Sequence, residues 1–458
     1  MQNKDEALGT QPIGKLMLSL ALPAVAAQFI NMLYNVVDRI YIGNIPGTGA
    51  LALTGVGVTF PIILLVSAFA AFAGMGGAPL ASIQLGAGNR GGAEKILGNC
   101  FSMLLVLSVT LTAVFSVFKT PLLYMFGASD AIIGYAEDYI SIYLVGTLFV
   151  QLSLGLNTFI SAQGHATTAM LSVLIGAIVN IVLDPVFIFV FGMGVSGAAL
   201  ATIISQAVSA VWVLRFLFSP KSGIRLRFEN MKFDKRILGK IAALGVAPFI
   251  MQSTESLVSI TLNSGLQRYG GDLYVGSMTI IQSVMQMLVM PVQGVSQGAQ
   301  PIMSYNYGAK NYARVRKTFS LLLKVMLIMA FAGFALAVLL PGILARMFTQ
   351  DVQLIGIVRK MMPIFFGGIW AFGAQMACQC AFMSMGQAKT SLFLALLRKI
   401  ILLVPLALTL PVLMGGNVLG IYIAEPIADV IASFTTLSLF FIKRKTLLPD
   451  DGAPAKER

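Results

Sequence analysis

Long runs of apolar residues, separated by short polar segments, follow one another along the whole chain. The runs at 16–37 and 101–118 contain no charged side chain. A helix needs about 20 predominantly apolar residues to cross a bilayer. The pattern therefore predicts an all-α integral membrane protein with about twelve transmembrane helices. The predicted helices lie at 15–40, 51–85, 96–118, 134–160, 169–191, 197–218, 239–266, 273–305, 318–340, 354–384, 391–414 and 418–442.

The two halves of the chain resemble each other at an offset of about 222 to 225 residues. The loop at 86–89, GAGN, matches the loop at 308–311, GAKN. Six predicted helices separate the copies, so both copies cross the membrane in the same direction. Alternating-access transporters are built from such repeats, with the site at their interface. The expected divisions are an N-lobe at 1–218, a basic cytoplasmic linker at 219–238, a C-lobe at 239–443 and a cytoplasmic tail at 444–458.

Charged residues are scarce, and their positions indicate an orientation. Of the 458 residues, 57% are hydrophobic and 11% are charged, whereas a soluble domain carries roughly 25% charged residues. A formal net charge of +13 suggests nucleic-acid binding, but Lys and Arg cluster in short loops between apolar runs. Cytoplasmic loops of membrane proteins show this bias. We therefore expect an inner-membrane protein with both termini in the cytoplasm, in contact with membrane lipids and not with nucleic acid.

Acidic residues inside the apolar runs point to function. Asp38, Asp184, Glu255, Glu425 and Asp429 lie within the predicted helices or close to their ends. A carboxylate at the bilayer centre costs about 2.5–3.5 kcal/mol, so such residues face the bundle interior or a wet cavity. A functional role is the default interpretation. For Glu425 and Asp429, which begin the last helix, a structural role is favoured.

The first candidate site combines Asp38 and Asp184 with neutral groups of the N-lobe. Helical spacing and sequence proximity assign six further residues to it: Asn31, Tyr34, Asn35, Asn180, Pro185 and Thr202. Two nearby carboxyl groups in a medium of low dielectric constant cannot both ionise cheaply. The pair therefore suits a proton or a hard cation, with Asp38, Asn180, Asp184 and Thr202 as candidate Na⁺ ligands. The alternative is a polar contact between packed helices.

The second candidate site, in the C-lobe, is rich in amides. Glutamines recur there at helical spacing, and a glutamine-lined cavity offers hydrogen bonds to varied guests. The residues assigned to this substrate cavity are Gln252, Glu255, Gln282, Gln286, Gln375 and Gln379. Hydrogen bonding between helices is the alternative role for each glutamine. For Glu255 the alternative is a structural ion pair.

Two strings in this chain match a nucleotide-binding motif, but neither lies in the structural setting that nucleotide binding requires. Strings of the form G-x-G-x-x-G begin at Gly86 and Gly192, but dinucleotide binding needs a preceding strand. Both strings follow predicted transmembrane helices, and no Walker A motif occurs. We expect no cofactor, no catalytic residue and no enzymatic activity. An intramembrane transferase would need an Asp-rich magnesium motif or a His–Asp pair at the membrane face.

Taken together, these features resemble the multidrug and toxic compound extrusion (MATE) family over essentially the whole chain except the tails. The resemblance rests on the two repeated loops, on Pro23 followed by Asn35 and Asp38, on Asn180-x-x-x-Asp184-Pro185, and on Glu425-Pro426-x-x-Asp429. It implies two six-helix lobes that form a V opening alternately to either side of the membrane. It also implies export of cationic drugs in exchange for protons or sodium ions.

The resemblance implies a cation site in the N-lobe at Asp38, Asn180, Asp184 and Thr202. One branch of the family also uses a pair of carboxylates from the seventh and tenth helices. Here Glu255 lies in the first of those helices, but the tenth offers Gln375, Cys378 and Gln379. Coupling through the N-lobe is therefore expected.

The nearest alternative function is a flippase of lipid-linked saccharides, because related families share the two-lobe plan. Such a protein is expected to line its cavity with Lys and Arg that hold a pyrophosphate. The interior candidates here are Arg398, Lys399 and Lys324, whereas acids and glutamines dominate. The expected function is therefore that of a secondary exporter, a monomer that antiports small, mostly cationic organic compounds.

Overall fold

Helices make up nearly all of residues 4–449, the part of the chain that the computed structural model describes. Eleven are long and apolar enough to cross a membrane. The pair Ile133–Val145 and Thr147–Ala162, bent by 58°, raises the number to twelve if it counts as one span. No strand occurs among the described residues. The predicted class, an all-α protein with many membrane spans, is confirmed.

The helices have these bounds: α1 (Lys4–Thr10), α2 (Ile13–Gly43), α3 (Gly49–Gly86), α4 (Arg90–Met125), α5 (Ile133–Val145), α6 (Thr147–Ala162), α7 (Ala166–Pro185), α8 (Gly194–Phe218), α9 (Lys235–Gly270), α10 (Asp272–Gly308), α11 (Tyr312–Leu339), α12 (Pro341–Arg346), α13 (Val352–Phe365), α14 (Ile369–Ser384), α15 (Ala388–Leu396), α16 (Val404–Leu413) and α17 (Leu419–Leu447). Short 3-10 turns lie at Phe228–Met231 and Phe366–Gly368. The last helix, α17, runs four residues into the predicted tail, and residues 450–458 lie outside the described residues.

Two of the predicted helices contain π-helical turns, one in its middle and one at its end. One turn, Leu397–Leu403, lies within the helix predicted at 391–414 and just before Pro405. Since proline has no backbone N–H, the carbonyl four residues before it loses its helical partner, and a wider turn accommodates that loss. The other turn, Val186–Val190, directly follows Pro185. Such turns are rare and often occur at functional sites, and each of these lies beside a candidate site.

The repeated loop that reveals the duplication is a turn between two helices. At 86–89, Gly88 has a φ of 77°, and the Asn89 side chain accepts a hydrogen bond from the backbone N–H three residues later. At 308–311, Lys310 has a φ of 58°, and Asn311 makes the same contact. Each asparagine therefore caps the helix that follows. The need for a tight turn and a cap explains why both halves keep this pattern.

Glycines bring the two lobes into close backbone contact, with α3 packed on α9 and on α10, and α2 packed on α10. A Cβ atom on Gly86 would lie 1.8 Å from the carbonyl oxygen of Tyr305, and one on Gly308 would lie 1.9 Å from that of Ile83. These four residues form two equivalent pairs of the repeat, so the contact is symmetric. Small residues allow such close approach of membrane helices, and here only glycine leaves room.

The contacts between the lobes gather at one end of the molecule. A Cβ on Gly245 of α9 would lie 1.9 Å from the carbonyl oxygen of Phe72 on α3, and one on Gly298 of α10 would lie 2.5 Å from the nitrogen of Ala21 on α2. All four residues lie in the halves of their helices that adjoin the repeated loops, α1 or the linker at 219–238. The lobes are therefore closed at the end that carries those loops.

We expect Gly308→Ala to destabilise this closed end, because the added Cβ cannot fit beside the carbonyl of Ile83. Overpacking of this kind costs about 1–3 kcal/mol. Thermal unfolding of the detergent-solubilised protein checks this. Gly239→Ala is the matched control, since a Cβ there has no neighbour within 4 Å. Equal unfolding midpoints for the two variants would contradict the packing described here.

Candidate functional site

The first candidate site forms where α2 packs on α7. Asp184 on α7 is completely buried and accepts a hydrogen bond at Oδ1 from Asn180 Nδ2, one turn earlier, at 3.2 Å. The carboxyl group of Asp38 on α2 lies close enough to the Asp184 carboxyl for the two to interact electrostatically. The fold thus brings together the two acids that the sequence assigned to one site.

Hydroxyl groups surround this acid pair. Thr202 on α8 donates a hydrogen bond to the carbonyl of Ala198 at 3.0 Å, and the Tyr139 hydroxyl lies close to its side chain. Tyr139 and Tyr34 both lie close enough to Asp38 to interact with its charge. Sequence reasoning missed Tyr139, because nothing in the order of residues along α5 shows that this helix packs on α8.

Three oxygen atoms of the acid pair and its neighbour have no hydrogen-bond partner among the described residues. They are Asp38 Oδ1, Asn180 Oδ1 and Asp184 Oδ2, and all three are buried. A buried acceptor without a partner costs about 1–3 kcal/mol. Within residues 4–449, neither acid forms an ion pair with Lys or Arg. The site therefore presents oxygen acceptors that fit a proton or a hard cation such as Na⁺.

The remaining residues assigned to this site have different environments. Asn31 and Tyr34 line a cavity of the N-lobe. Asn35 is exposed, and its Nδ2 donates to the carbonyl of Asn31 on its own helix at 2.6 Å. It therefore does not join the acid pair. Pro185 ends α7 and leads into the π-helical turn.

The N-lobe cavity has about 390 Å³ of empty space and adjoins the acid pair, because Tyr34 belongs to both. Its polar wall is neutral and consists of Asn31, Tyr34, Ser153, Asn157, Ser172, Ser205, Gln206 and Ser209. Some of these groups bond to one another: Ser153 Oγ donates to Gln206 Oε1 at 2.6 Å. The wall offers hydrogen bonds without charge.

In the C-lobe, Glu255 forms the ion pair that was the alternative interpretation of this residue. Lys399 Nζ contacts Glu255 Oε1 and donates to the carbonyl of Met251 at 2.9 Å. The Glu255 side chain is 60% exposed, whereas that of Lys399 is 8% exposed. The carboxylate therefore faces open space, and the ammonium group is covered.

Arg398 joins both acids of α17. Its Nε donates to Asp429 Oδ1 at 2.6 Å and its Nη2 to Glu425 Oε1 at 2.7 Å, and its guanidinium lies 4.6 Å from the centre of the Phe372 ring. All three charged side chains are at most 12% exposed. The structural role favoured for the two acids agrees with this cluster. Arg398 and Lys399 lie on the π-helical turn of the C-lobe, and both are largely buried despite being adjacent.

The predicted glutamine cavity is only partly formed. Gln375 and Gln379 are each 7% exposed and line a C-lobe cavity with about 310 Å³ of empty space, together with Arg398 and Lys399. The other three glutamines do not line it. Gln286 is exposed, and Gln252 and Gln282 are half-buried. Spacing along each helix predicted that these five glutamines lie on polar faces, but it did not show which faces meet.

The fold is that of a multi-span membrane protein with two duplicated lobes. Comparison with known families shows to which of them the chain belongs. The family model for MatE matches residues 23–186 and 248–409, one stretch in each lobe. The chain therefore belongs to the MatE family. This agrees with the resemblance drawn from the repeated loops and the intramembrane acids.

Curated relatives and solved structures match nearly the whole chain. The multidrug export protein MepA of Staphylococcus haemolyticus (strain JCSC1435) is 24% identical over 442 residues, which cover 95% of this chain and 96% of that protein. MepA of Staphylococcus aureus (strain NCTC 8325 / PS 47) is 22% identical over 455 residues, or 98% of each chain. A solved structure of MATE in the bent conformation has a TM-score of 0.90 at 24% identity and covers 98% of both chains. The outward-facing structure of a multidrug resistance MATE family transporter has a TM-score of 0.89 at 23% identity and covers 98% of this chain and 99% of that one.

We expect Arg398→Met to destabilise the protein by about 3–5 kcal/mol, because it leaves Glu425 and Asp429 buried without a cation. Thermal or denaturant unfolding of the purified protein measures the effect. Adding Glu425→Gln and Asp429→Asn to the same chain should restore part of the loss.

Arg227→Met is the matched control for this prediction. Arg227 pairs with Glu94 at 3.0 Å, but its side chain is 53% exposed. Breaking a pair of that kind changes stability by about 1 kcal/mol or less. Similar unfolding of the two variants would show that the buried cluster does not stabilise the C-lobe.

Proposed function

We propose that this protein is a secondary multidrug exporter of the inner membrane. It carries small, mostly cationic organic compounds out of the cell in exchange for H⁺ or Na⁺ and works as a monomer with both termini in the cytoplasm. The observation that carries the proposal is the Asp38–Asp184 pair, whose buried oxygen acceptors form no ion pair with Lys or Arg within residues 4–449. The curated relatives are named as multidrug export proteins, which supports this substrate class.

Helix α2 connects the acid pair to the contact between the lobes. It carries Asp38 in its second half, and in its first half it packs on α10, where a Cβ on Gly294 would lie 2.4 Å from Val25 Cγ2. Pro23 lies in that first half and weakens the helix locally. An ion bound between Asp38 and Asp184 draws α2 towards α7, and a shift of α2 alters its packing on α10.

Coupling requires the acid pair to bind its ion more tightly in one arrangement of the lobes than in the other, because a ligand shifts an equilibrium only by its differential affinity. In the proposed cycle, the outward-facing protein takes up an ion from outside and releases its organic compound. The lobes then rock inward, the ion leaves to the cytoplasm, and a new compound binds. Both H⁺ and Na⁺ suit the acceptors of the site.

The distribution of basic residues supports the orientation. If the loops at 86–89 and 308–311 face the cytoplasm, as the positive-inside rule indicates, the lobes are in contact at their cytoplasmic ends. That arrangement corresponds to the outward-facing state of the cycle.

The contacts of the basic residues in the C-lobe count against the alternative function, a flippase of lipid-linked saccharides. Arg398 already binds Glu425 and Asp429, and Lys399 binds Glu255. Three carboxylates thus surround two of the three basic groups that a pyrophosphate would need, and the third, Lys324, is exposed. The proposal assigns no catalytic residue and no cofactor.

We expect purified protein in liposomes to move ethidium when a pH or sodium gradient is imposed to drive the exchange. We expect Asp38→Asn to abolish this movement. The neutral amide cannot take up or release a proton, and it lacks the negative charge that would balance a bound Na⁺. Ethidium fluorescence measures transport, and comparing the two gradients identifies the ion.

Glu229→Gln serves as the matched control, because Glu229 is an exposed acid on the linker between the lobes. It should transport like the wild-type protein. Gradient-driven transport that survives Asp38→Asn would refute coupling at this site. If the wild-type protein moves neither ethidium nor other organic cations, lipid-linked saccharides become the next substrates to test.

A further inference from the structure

The linker between the lobes is fixed along the N-lobe by hydrogen bonds. Gln163 Oε1 accepts from Ser222 Oγ at 3.0 Å and from the backbone N–H of Ile224 at 2.9 Å, and Ile224 is completely buried. Further along, Ser102 Oγ on α4 donates to the carbonyl of Met231 at 2.6 Å. One side of the linker is thus covered by the N-lobe, and its other side is open.

The open side of the linker combines aromatic and basic side chains. Phe228 is 77% exposed and Phe233 is 58% exposed. Residues 219–238 contain six basic and two acidic residues, which gives this segment a formal net charge of +4. Aromatic rings and basic side chains next to a membrane span are typical of a segment that lies at the membrane surface.

Phe228 connects the linker to one face of α8. Its ring centre lies 5.7 Å from that of Phe218, at the end of α8. The exposed residues in the second half of α8 recur at helical spacing and share one face: Val208, Val211, Arg215 and Phe218. The aromatic side of the linker therefore continues this face.

This face of α8 lies against lipid. Helix α8 packs on α5, α6 and α7 of the N-lobe, and it is long and apolar enough to span a membrane. The lobes are in direct contact at this end of the molecule, so a side chain exposed here does not line a space between them. The ring of Phe228 therefore holds the linker at the membrane surface.

Arg215 is a charged residue on an otherwise apolar face. The second copy of the repeat, at an offset of 223 residues, provides a comparison, because the equivalent residues of α17 are also exposed: Ile431, Phe434, Ser438 and Phe441. Ser438 stands at the position of Arg215, so this helix packs without a charge there. A cation next to acyl chains is costly unless its side chain extends to the headgroups.

Arg215 and Lys221, which lies just beyond the end of α8, form no ion pair within residues 4–449. Arg227 differs from them, because it pairs with Glu94 at 3.0 Å. Glu229, an acid of the same segment, is exposed to solvent. The positive charges of Arg215 and Lys221 are therefore available to an anion from outside the chain.

We propose that the end of α8 and the linker bind an anionic phospholipid. Arg215 and Lys221 hold its phosphate, and an acyl chain lies along Val208 and Val211. The ligand is a lipid and not a soluble phosphate, because the two cations adjoin a face that contacts acyl chains. A zwitterionic lipid binds less well, since its own ammonium group offsets the charge of its phosphate. This inference does not depend on the proposed export function.

Tryptophan fluorescence tests the proposal, because Trp212 lies on α8 beside Val211 and the chain has one other tryptophan, Trp370. The full-length Trp370→Phe protein is placed in nanodiscs of phosphatidylglycerol and phosphatidylcholine. In one sample the phosphatidylglycerol carries brominated acyl chains, and in the other an equal amount of phosphatidylcholine does. Bromine quenches nearby tryptophan, so the difference in quenching measures which lipid is enriched beside α8.

We expect brominated phosphatidylglycerol to quench Trp212 more strongly, because each basic side chain at the surface favours an anionic lipid about fivefold. Arg215→Gln combined with Lys221→Gln should abolish the difference. Lys317→Gln combined with Lys389→Gln is the matched control. It removes the same charge from exposed residues of α11 and α15 and should retain the difference.

Two further proteins separate this site from a general effect of charge. Arg215→Lys combined with Lys221→Arg keeps both positive charges and should keep the preference. The Trp212→Phe protein leaves Trp370, which is 42% exposed in the middle of the span at 352–384. Both brominated lipids should quench Trp370 equally. This comparison uses an intact site, so it decides the question even if the double Gln variant does not fold.

Equal quenching of Trp212 by the two brominated lipids would overturn the inference. So would a preference that survives the loss of Arg215 and Lys221. A preference of the same size at Trp370 would show a general attraction of the basic protein for anionic lipid and would also overturn it. No gradient and no transported compound is present, so these results are separate from the transport experiment.

Discussion

A charge buried inside a membrane protein must be balanced, because neither lipid nor packed side chains replace the water it loses. The C-lobe meets this constraint in part with its own residues, since Arg398 pairs with both Glu425 and Asp429. In the N-lobe, Asp38 and Asp184 have no basic partner within residues 4–449. In the function we propose, their charge is balanced by an ion that comes and goes.

The N-lobe and C-lobe cavities show how one backbone arrangement serves two chemistries. Gly176 of the N-lobe precedes Arg398 by the repeat offset of 222 residues, and a Cβ on it would lie 2.3 Å from Ser209 Oγ, so α7 and α8 pack closely at this position. At the equivalent place in the C-lobe, the π-helical turn holds the long side chains of Arg398 and Lys399. A local widening of one helix thus creates room for two charges, and the acids of α17 and α9 balance them.

The contact between the lobes also depends on glycines that allow close packing of helices. Gly86 and Gly308 let backbones meet directly, with no side chain interlocked between them. Membrane helices associate through such packing because lipid supplies no hydrophobic force between them. A contact of this kind is sensitive to small shifts of the helices that form it. Helix α2, which carries Asp38 and also packs on α10, is therefore well placed to connect ion binding with movement of the lobes.

Much of this fold was predictable because the signals are local. Apolar runs of membrane-spanning length predict the helices. The GAGN and GAKN loops, at equivalent positions in the two halves, reveal the duplication. An acid within an apolar run is conspicuous because placing a carboxylate in the membrane costs free energy. The N-lobe acids were found in this way, since Asn180 and Asp184 lie one turn apart on one helix.

Only the tertiary structure decided which groups meet. It paired Glu255 with Lys399, placed Tyr139 beside Thr202, and left Asn35 exposed. These outcomes depend on how each helix is rotated and where it bends, and neighbours distant in sequence set both. Hydrophobic periodicity shows that a residue lies on a polar face of a helix. Which other face it meets follows from packing among all the helices, and that information is not present in any one segment of the chain.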